Sequence, residues 1–239
     1  MNNFRVYILF NVKKPELGNN TDPVWISKRM DLFEKYTLQS LRQQTDQDFE
    51  IDLLCCPESR DLFQLRHYKI PGVTLHFSIQ EYFDYINDCV CWSPAAGCKE
   101  PYLLKIDSDD LYHKRAIEIC RSRLQATSGI EHLAFVNGYV YDLDTGAINH
   151  FSNGVPFYCT HFVGGSFTYD NLMARCFCDQ TRVRKEFNPL VIAEKMFCVL
   201  DHDTCLHKDP KRMGTELNHR SGFGAEVQDI DLANFGIDR

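Results

Sequence analysis

What this 239-residue sequence lacks narrows its function before anything it contains. No apolar run approaches the ~20 residues a membrane-spanning helix needs. The opening Met1-Asn2-Asn3-Phe4-Arg5 does not have the basic-then-apolar layout of a signal peptide. Positive charge is not in excess: 26 Lys and Arg stand against 33 Asp and Glu, for a net charge of −7. A nucleic-acid footprint needs a basic face, so a nucleic-acid partner is not expected. There is no G-x-x-x-x-G-K-[ST] loop to cradle a nucleoside triphosphate. Internal repeats, low-complexity tracts and domain-dividing linkers are also missing. The expectation is one cytoplasmic domain over residues 1–239 with no transmembrane segment, long enough to bury a substantial core.

Cysteine is plentiful but unpatterned. The eleven cysteines are odd in number and include two C-x-C pairs, Cys89/Cys91 and Cys176/Cys178, but no C-x-x-C. Cys55 and Cys56 follow Leu53-Leu54, a setting in which cysteine acts as a small hydrophobe. Free thiols are expected, as suits a reducing compartment.

Strand-like and helix-like stretches alternate through the first half. Arg5 to Asn11, Phe49 to Cys55 and Val73 to Phe77 read as strands, the last opened by Pro71-Gly72. Between the first two, Ile26, Met30 and Phe33 recur at helical spacing, with Leu41 further along. Ile117, Cys120 and Leu124 mark one face of a later helix. This alternation predicts an α/β fold with a mostly parallel sheet covered by helices. The second half differs. His132 to Tyr141 reads as a longer strand with a bend at Gly138, and Asp144-Thr145-Gly146 turns it back through Ala147 to Phe151. Gly164-Gly165-Ser166 would allow a tight backbone approach to a ligand. From Asp201 onward the chain is polar, with few core-forming residues expected.

The most informative stretch is Leu103-Leu104-Lys105-Ile106-Asp107-Ser108-Asp109-Asp110. A buried strand would end here in three carboxylates within four positions. Charges packed so closely repel, and a divalent cation such as Mg²⁺ or Mn²⁺, which prefers oxygen ligands, relieves the conflict. The carboxyl end of a strand is also where open α/β sheets bind ligands. The alternative is a solvated acidic turn in which Asp110 caps the next helix.

Three segments give the chain a family resemblance. Trp25-Ile26-Ser27-Lys28-Arg29 through Ser40-Leu41-Arg42-Gln43-Gln44-Thr45, then Asp48-Phe49, is similar to the first helix and second strand of the putative rhamnosyl transferase family of bacterial and viral proteins. Lys105 to Asp110 resembles the D-x-D motif of GT-A-type glycosyltransferases in its usual position, and Phe135-Val136-Asn137-Gly138-Tyr139 resembles the strand beyond it. The resemblance implies a GT-A-like fold with a nucleotide-sugar-binding half over 1–130. An acceptor-side half with a smaller antiparallel element and the C-terminal segment would follow over 131–239. It also implies a metal-dependent, inverting transfer of a sugar such as rhamnose from a nucleotide-diphosphate sugar donor to a glycan or other hydroxyl acceptor.

The same resemblance assigns roles. Asp109 would bind Mn²⁺ or Mg²⁺, and Asp107 would contact the metal through water or the donor ribose. Asp110 would orient hydroxyls or cap the helix. A C-terminal histidine would complete the metal site: His219 first, with His207 and His202 as the other candidates. Asp201-His202-Asp203-Thr204-Cys205-Leu206 is similar to an E-D-x-x-L segment, making Asp203 the general base and His202 its partner or substitute. Asn11, Arg29 and Lys105 are candidate donor contacts. Arg29 can fork onto phosphate or a carboxylate, and Lys105 could instead neutralise Asp107. Trp25 could stack on a base or sugar, or pack as a hydrophobic staple. Two rival readings use the same acidic strand end differently: a metal-dependent nucleotidyltransferase or phosphohydrolase, and a non-catalytic carbohydrate-binding protein.

Overall fold

The computed structural model describes residues 4–12, 21–65, 70–89, 101–163, 166–177, 180–202, 223–227 and 230–237. Strands β1 (Phe4–Leu9), β2 (Glu50–Leu54), β3 (Val73–His76) and β4 (Tyr102–Asp107) lie parallel in the order β3-β2-β1-β4. Both faces of these strands are covered, which is why they read as nearly continuous apolar runs. Side chains alternate between faces. Phe4, Val6 and Ile8 of β1 enter the main core, while Tyr7 joins Leu54 and Leu103 on the opposite face.

Helices pack on each side. The main core takes Ile26, Met30, Phe33, Leu38 and Leu41 from one long segment made of α1 (Pro23–Leu32), a π-helical turn (Phe33–Thr37) and α2 (Leu38–Arg42). Phe33 and Leu38 are five positions apart, more than one α-turn, and the wider π turn keeps both on the buried face. Asp22 caps α1 by accepting from the Val24 amide at 3.1 Å, with Pro23 pre-set for the first turn. On the same side lie Phe63 of α3 (Arg60–Leu65) and the Ile117, Cys120 and Leu124 face of α5 (Ala116–Ala126), the latter as expected. The opposite face is covered by Tyr82 and Ile86 of α4 (Ile79–Cys89) and by Leu172 and Cys176 of α6 (Tyr169–Cys176). Each such apolar side chain contributes roughly 1.5–3 kcal/mol by leaving water.

Beyond β4 the sheet becomes mixed. A short strand β5 (Asp110–Tyr112) follows β4, then β6 (His132–Asp142) and β7 (Ile148–His161) form the expected hairpin. After α7 (Gln180–Glu186) comes β8 (Leu190–Asp201), and β9 (Phe223–Glu226) pairs with β7. The order continues β4-β7-β6-β8-β5, with β4/β7, β6/β7 and β5/β8 antiparallel and β6/β8 parallel. The register of β6 shifts around Asn137, next to the bend anticipated at Gly138. Gly138 is required for a different reason: a Cβ there would lie 2.5 Å from Phe197 of β8.

Two expectations change. The helix after the acidic stretch begins at Ala116, with Arg115 rather than Asp110 at its cap position, because Asp110 instead starts β5. The chain beyond Asp201 also contributes to the core. Leu232 and Phe235 of a 3₁₀ turn (Leu232–Phe235), with Ile237, bury against Leu111, Ile148, Cys198 and Leu200. Gly236 ends this turn at φ +79, where a Cβ would crowd the Ser40 backbone at 3.0–3.1 Å. Among the described residues no helix is long and apolar enough to cross a membrane, and the described cysteines are free thiols.

Candidate active site

At its carboxyl end β4 stops at Asp107, the chain turns through Ser108 and Asp109, and β5 starts at Asp110. Strand β5 pairs antiparallel with β8, Asp110 opposite Val199 and Tyr112 opposite Phe197. That register runs the end of β8 beside the acidic turn, so His202, the residue after the strand, reaches Asp109 from 93 positions away. Helix α1 supplies the third element, Arg29, buried on the face that meets the strand ends.

Asp109 is the hub. Its Oδ1 lies 2.5 Å from Arg29 Nη2, and its Oδ2 lies 3.0 Å from His202 Nε2. Arg29 Nε donates to Ser108 Oγ at 3.0 Å, and Arg29 Nη1 sits 3.5 Å from His202 Nε2. The guanidinium carbon is 5.6 Å from the centroid of the Trp25 ring, a cation–π distance, and Trp25 meets Phe10 edge-on. Trp25 therefore carries Arg29 on one side and joins the core on the other.

The two neighbouring carboxyls are driven apart. Burial pushes Asp109 up, but the charge of Arg29 and the hydrogen bond with His202 outweigh it and hold the group below the usual carboxylate range. For Asp110, burial and then the charges of Asp109 and Asp107 push the carboxyl well above that range, against Arg29 and the Leu200 amide. The Leu200 amide donates to Asp110 Oδ1 at 3.3 Å. Asp109 is thus the ionised member of the pair, and Asp110 is driven toward its neutral form.

Other predicted residues lie close by in the fold. Lys105 Nζ donates to Asp107 Oδ1 at 2.8 Å, with Lys105 buried and the Asp107 side chain 34 % exposed. Tyr112 donates its hydroxyl to the Lys105 carbonyl. Asn11, beyond β1, straps the ends of β1 and β2: its Oδ1 accepts from the Cys56 amide at 2.9 Å and its Nδ2 lies 3.3 Å from Cys56 Sγ. Asp203, His207 and His219 lie outside the described residues. Two participants, Ser108 and the Leu200 amide, are not evident from sequence. A serine between aspartates reads as a spacer, and a backbone amide carries no residue-type signal.

The donor set allows a metal in one particular way. Among the described residues no three His, Cys, Asp or Glu side chains are grouped to hold one. Asp109 with His202 offers a carboxylate and an imidazole. Mg²⁺ commonly takes only one or two protein carboxylates with substrate phosphates and water, and imidazole is acceptable to softer divalent ions. The pair could supply two ligands to a divalent ion whose other positions are filled by water or an anionic ligand.

The profile of the putative rhamnosyl transferase family matches residues 19–153, more than half of the sequence. The chain belongs to that family. The match spans Arg29 and the whole acidic turn but stops before His202. No curated protein matches the sequence. Among solved structures, S. aureus TarS 1-349 in complex with UDP is similar at 9 % identity and a TM-score of 0.40, over 84 % of this chain and 61 % of that one. TarS 1-349 without it matches at 10 % identity and 0.40, over 82 % and 60 %. The chain thus spans about three fifths of these relatives. A putative nucleotide-diphospho-sugar transferase from Desulfovibrio desulfuricans G20 is 11 % identical with a TM-score of 0.41, over 93 % of this chain and 92 % of its own.

Proposed function

We propose that this member of the putative rhamnosyl transferase family is a metal-dependent glycosyltransferase. It would move a sugar, rhamnose by family, from a nucleoside-diphosphate donor to a glycan or other hydroxyl acceptor. The observation that carries the reading is Asp109 at the carboxyl end of β4, ionised between Arg29 and His202. A diphosphate leaving group gathers negative charge as the sugar departs, and cations positioned at that charge lower the barrier. Bound at Asp109 and His202, Mn²⁺ or Mg²⁺ would supply Lewis-acid neutralisation of the leaving diphosphate. Arg29 is the chain's own cation at this point, set to meet phosphate oxygens. Asp107, one-third exposed and oriented by Lys105, is suited to accept from a donor ribose hydroxyl.

In an inverting transfer the acceptor oxygen bonds to the anomeric carbon as the bond from that carbon to the phosphate oxygen breaks, and the acceptor proton passes to a base. We assign that base to Asp203, next in sequence to His202. His202 itself is better suited to the metal than to base work, because its Nε2 is already directed at Asp109. This makes His202, rather than His219, the first choice for the imidazole ligand. The free thiols among the described residues suit a cytoplasmic location.

A thermal-shift screen of UDP-, GDP-, CDP- and dTDP-sugars, including nucleotide-activated rhamnose, with and without Mn²⁺, tests the proposal. A true donor raises apparent stability by RT ln(1 + [L]/Kd), and only with metal. Equal shifts with Mn²⁺ and with EDTA would remove the metal from the mechanism. Release of inorganic phosphate from nucleoside triphosphates, without sugar transfer, would favour the phosphohydrolase reading.

A further inference from the structure

We infer that Arg29 is a place-holding cation for the divalent metal. It occupies Asp109 until metal and donor diphosphate arrive together, which makes the binding of those two ligands strongly cooperative. The inference rests on the glycosyltransferase reading above and deepens it by coupling the binding of its two ligands.

The argument is geometric. Arg29 takes Asp109 Oδ1 at 2.5 Å and comes to 3.5 Å of His202 Nε2, while His202 Nε2 faces the other oxygen, Oδ2, at 3.0 Å. An ion held by Oδ2 and Nε2 would share one carboxylate with the guanidinium. Charge then decides. With Arg29 in place the Asp109 carboxylate is already neutralised, so metal arriving alone must displace one cation with another and leave both facing a single carboxylate. Like charges at such distances repel strongly in a poorly solvated site. A diphosphate reverses the balance, because it brings the negative charge on which a released guanidinium can settle, and Arg forks readily onto phosphate oxygens.

Arg29 is also held so that release need not carry it out of the site. Ser108 Oγ accepts from its Nε, and the Trp25 ring lies under the guanidinium. Both contacts are made from outside Asp109, so the Arg29 side chain retains two anchors beside the strand end when the carboxylate changes partner. Arg29 is thus a positioning residue in the free protein and a phosphate ligand in the loaded one.

The test is Mn²⁺ binding to the full chain, followed by the electron-paramagnetic-resonance signal of the free ion. Wild type, Arg29→Gln and Asp109→Asn are compared, each with and without an equimolar mixture of UDP, GDP, CDP and dTDP. Arg29→Gln should bind Mn²⁺ alone about tenfold more tightly than wild type, and the nucleotides should tighten Mn²⁺ binding to wild type by about tenfold more than to Arg29→Gln, within the usual range of coupling between sites. Added Mn²⁺ should also raise the melting temperature of Arg29→Gln by more than that of wild type. Should Arg29→Gln fail to fold, Arg29→Met carries the test, since it removes the charge but keeps an unbranched side chain; a gain in Mn²⁺ affinity of about tenfold is again expected. If either folded variant binds Mn²⁺ no better than wild type while Asp109→Asn abolishes binding, the place-holder inference is overturned and the metal site stands. If no protein binds Mn²⁺ under any condition, the metal itself is removed from the reading and the inference goes with it.

Discussion

His202 Nε2 lies 3.0 Å from Asp109 Oδ2, tying the residue after β8 to the turn after β4. The contact joins the half of the chain that the family profile covers to a half that it does not. It also brings an imidazole to the acidic turn from the end of β8.

The first prediction follows from that pairing. His202→Ala should weaken Mn²⁺-dependent nucleotide binding by about 10- to 100-fold, the scale seen when groups supporting a metal are removed. His219→Ala should change it much less. Calorimetric titration of nucleotide in saturating Mn²⁺ separates the two. The reverse ranking would return the imidazole role to His219.

Asp109 and Asp110 should respond very unequally to loss of charge. Asp109→Asn leaves the buried Arg29 guanidinium without its carboxylate, and breaking a buried pair from one side costs about 3–5 kcal/mol; at 10–11 % side-chain exposure the lower end is expected. Transfer should fall by about 10² or more with it. Asp110→Asn should be nearly neutral in stability at pH 7, because burial and two adjacent carboxylates already drive Asp110 toward its neutral form, and the amide oxygen can still accept from Leu200. Urea unfolding of both variants at pH 7 decides it; comparable losses would contradict the split.

On the other face of the sheet, Asp52 is enclosed by partners. Arg5 donates to it through Nε at 2.6 Å and Nη2 at 2.8 Å, and His76 Nε2 lies 2.9 Å away. The bidentate pair ties β1 to β2, and His76 adds β3. Burial weakens the charge on Arg5, but hydrogen bonding and attraction from Asp52 outweigh it, and the pKa rises. Asp52→Ala should therefore cost about 3–5 kcal/mol while leaving donor affinity of the folded fraction unchanged. A denaturant midpoint within error of wild type would show the network to be dispensable.

How much of this was readable in sequence depends on what each feature requires. Strands β1 to β4 are legible because a parallel strand covered on both faces is largely apolar, with Arg5, Asp52 and Lys105 as the buried, paired exceptions. The acidic turn is legible as a strand end because an apolar run stops abruptly at three carboxylates within four positions. The position of His202 was not, since it depends on the register of β5, a three-residue strand whose Asp110-Leu111-Tyr112 has no distinctive pattern. For the same reason Asp110 read equally well as a helix cap. The core role of the last stretch is not legible, because Leu232, Phe235 and Ile237 are isolated in polar sequence and only docking against Leu111, Cys198 and Leu200 gives them a core to join. Arg29 was picked out for its chemistry, but its present partner could come only from the fold.

The final prediction lies at the opposite end of the sheet, where His132 opens β6. Its ring stacks on Phe187, and its Nδ1 lies 3.3 Å from Thr160 Oγ1. Burial, and then the charge of Arg175, lower its pKa to about 4 despite Glu131. Between the ordinary value near 6.5 and that folded value, the unfolded chain binds a proton that the native chain does not. Stability contributed by neutral His132 is therefore complete above about pH 6.5 and is lost as pH falls toward 4, by an amount on the order of 2 kcal/mol at pH 5. Urea midpoints at pH 7 and pH 5 should show this loss in wild type, and His132→Gln, which cannot take up the proton, should lose correspondingly less over the same interval. An identical drop in both proteins would assign the acid sensitivity to other groups.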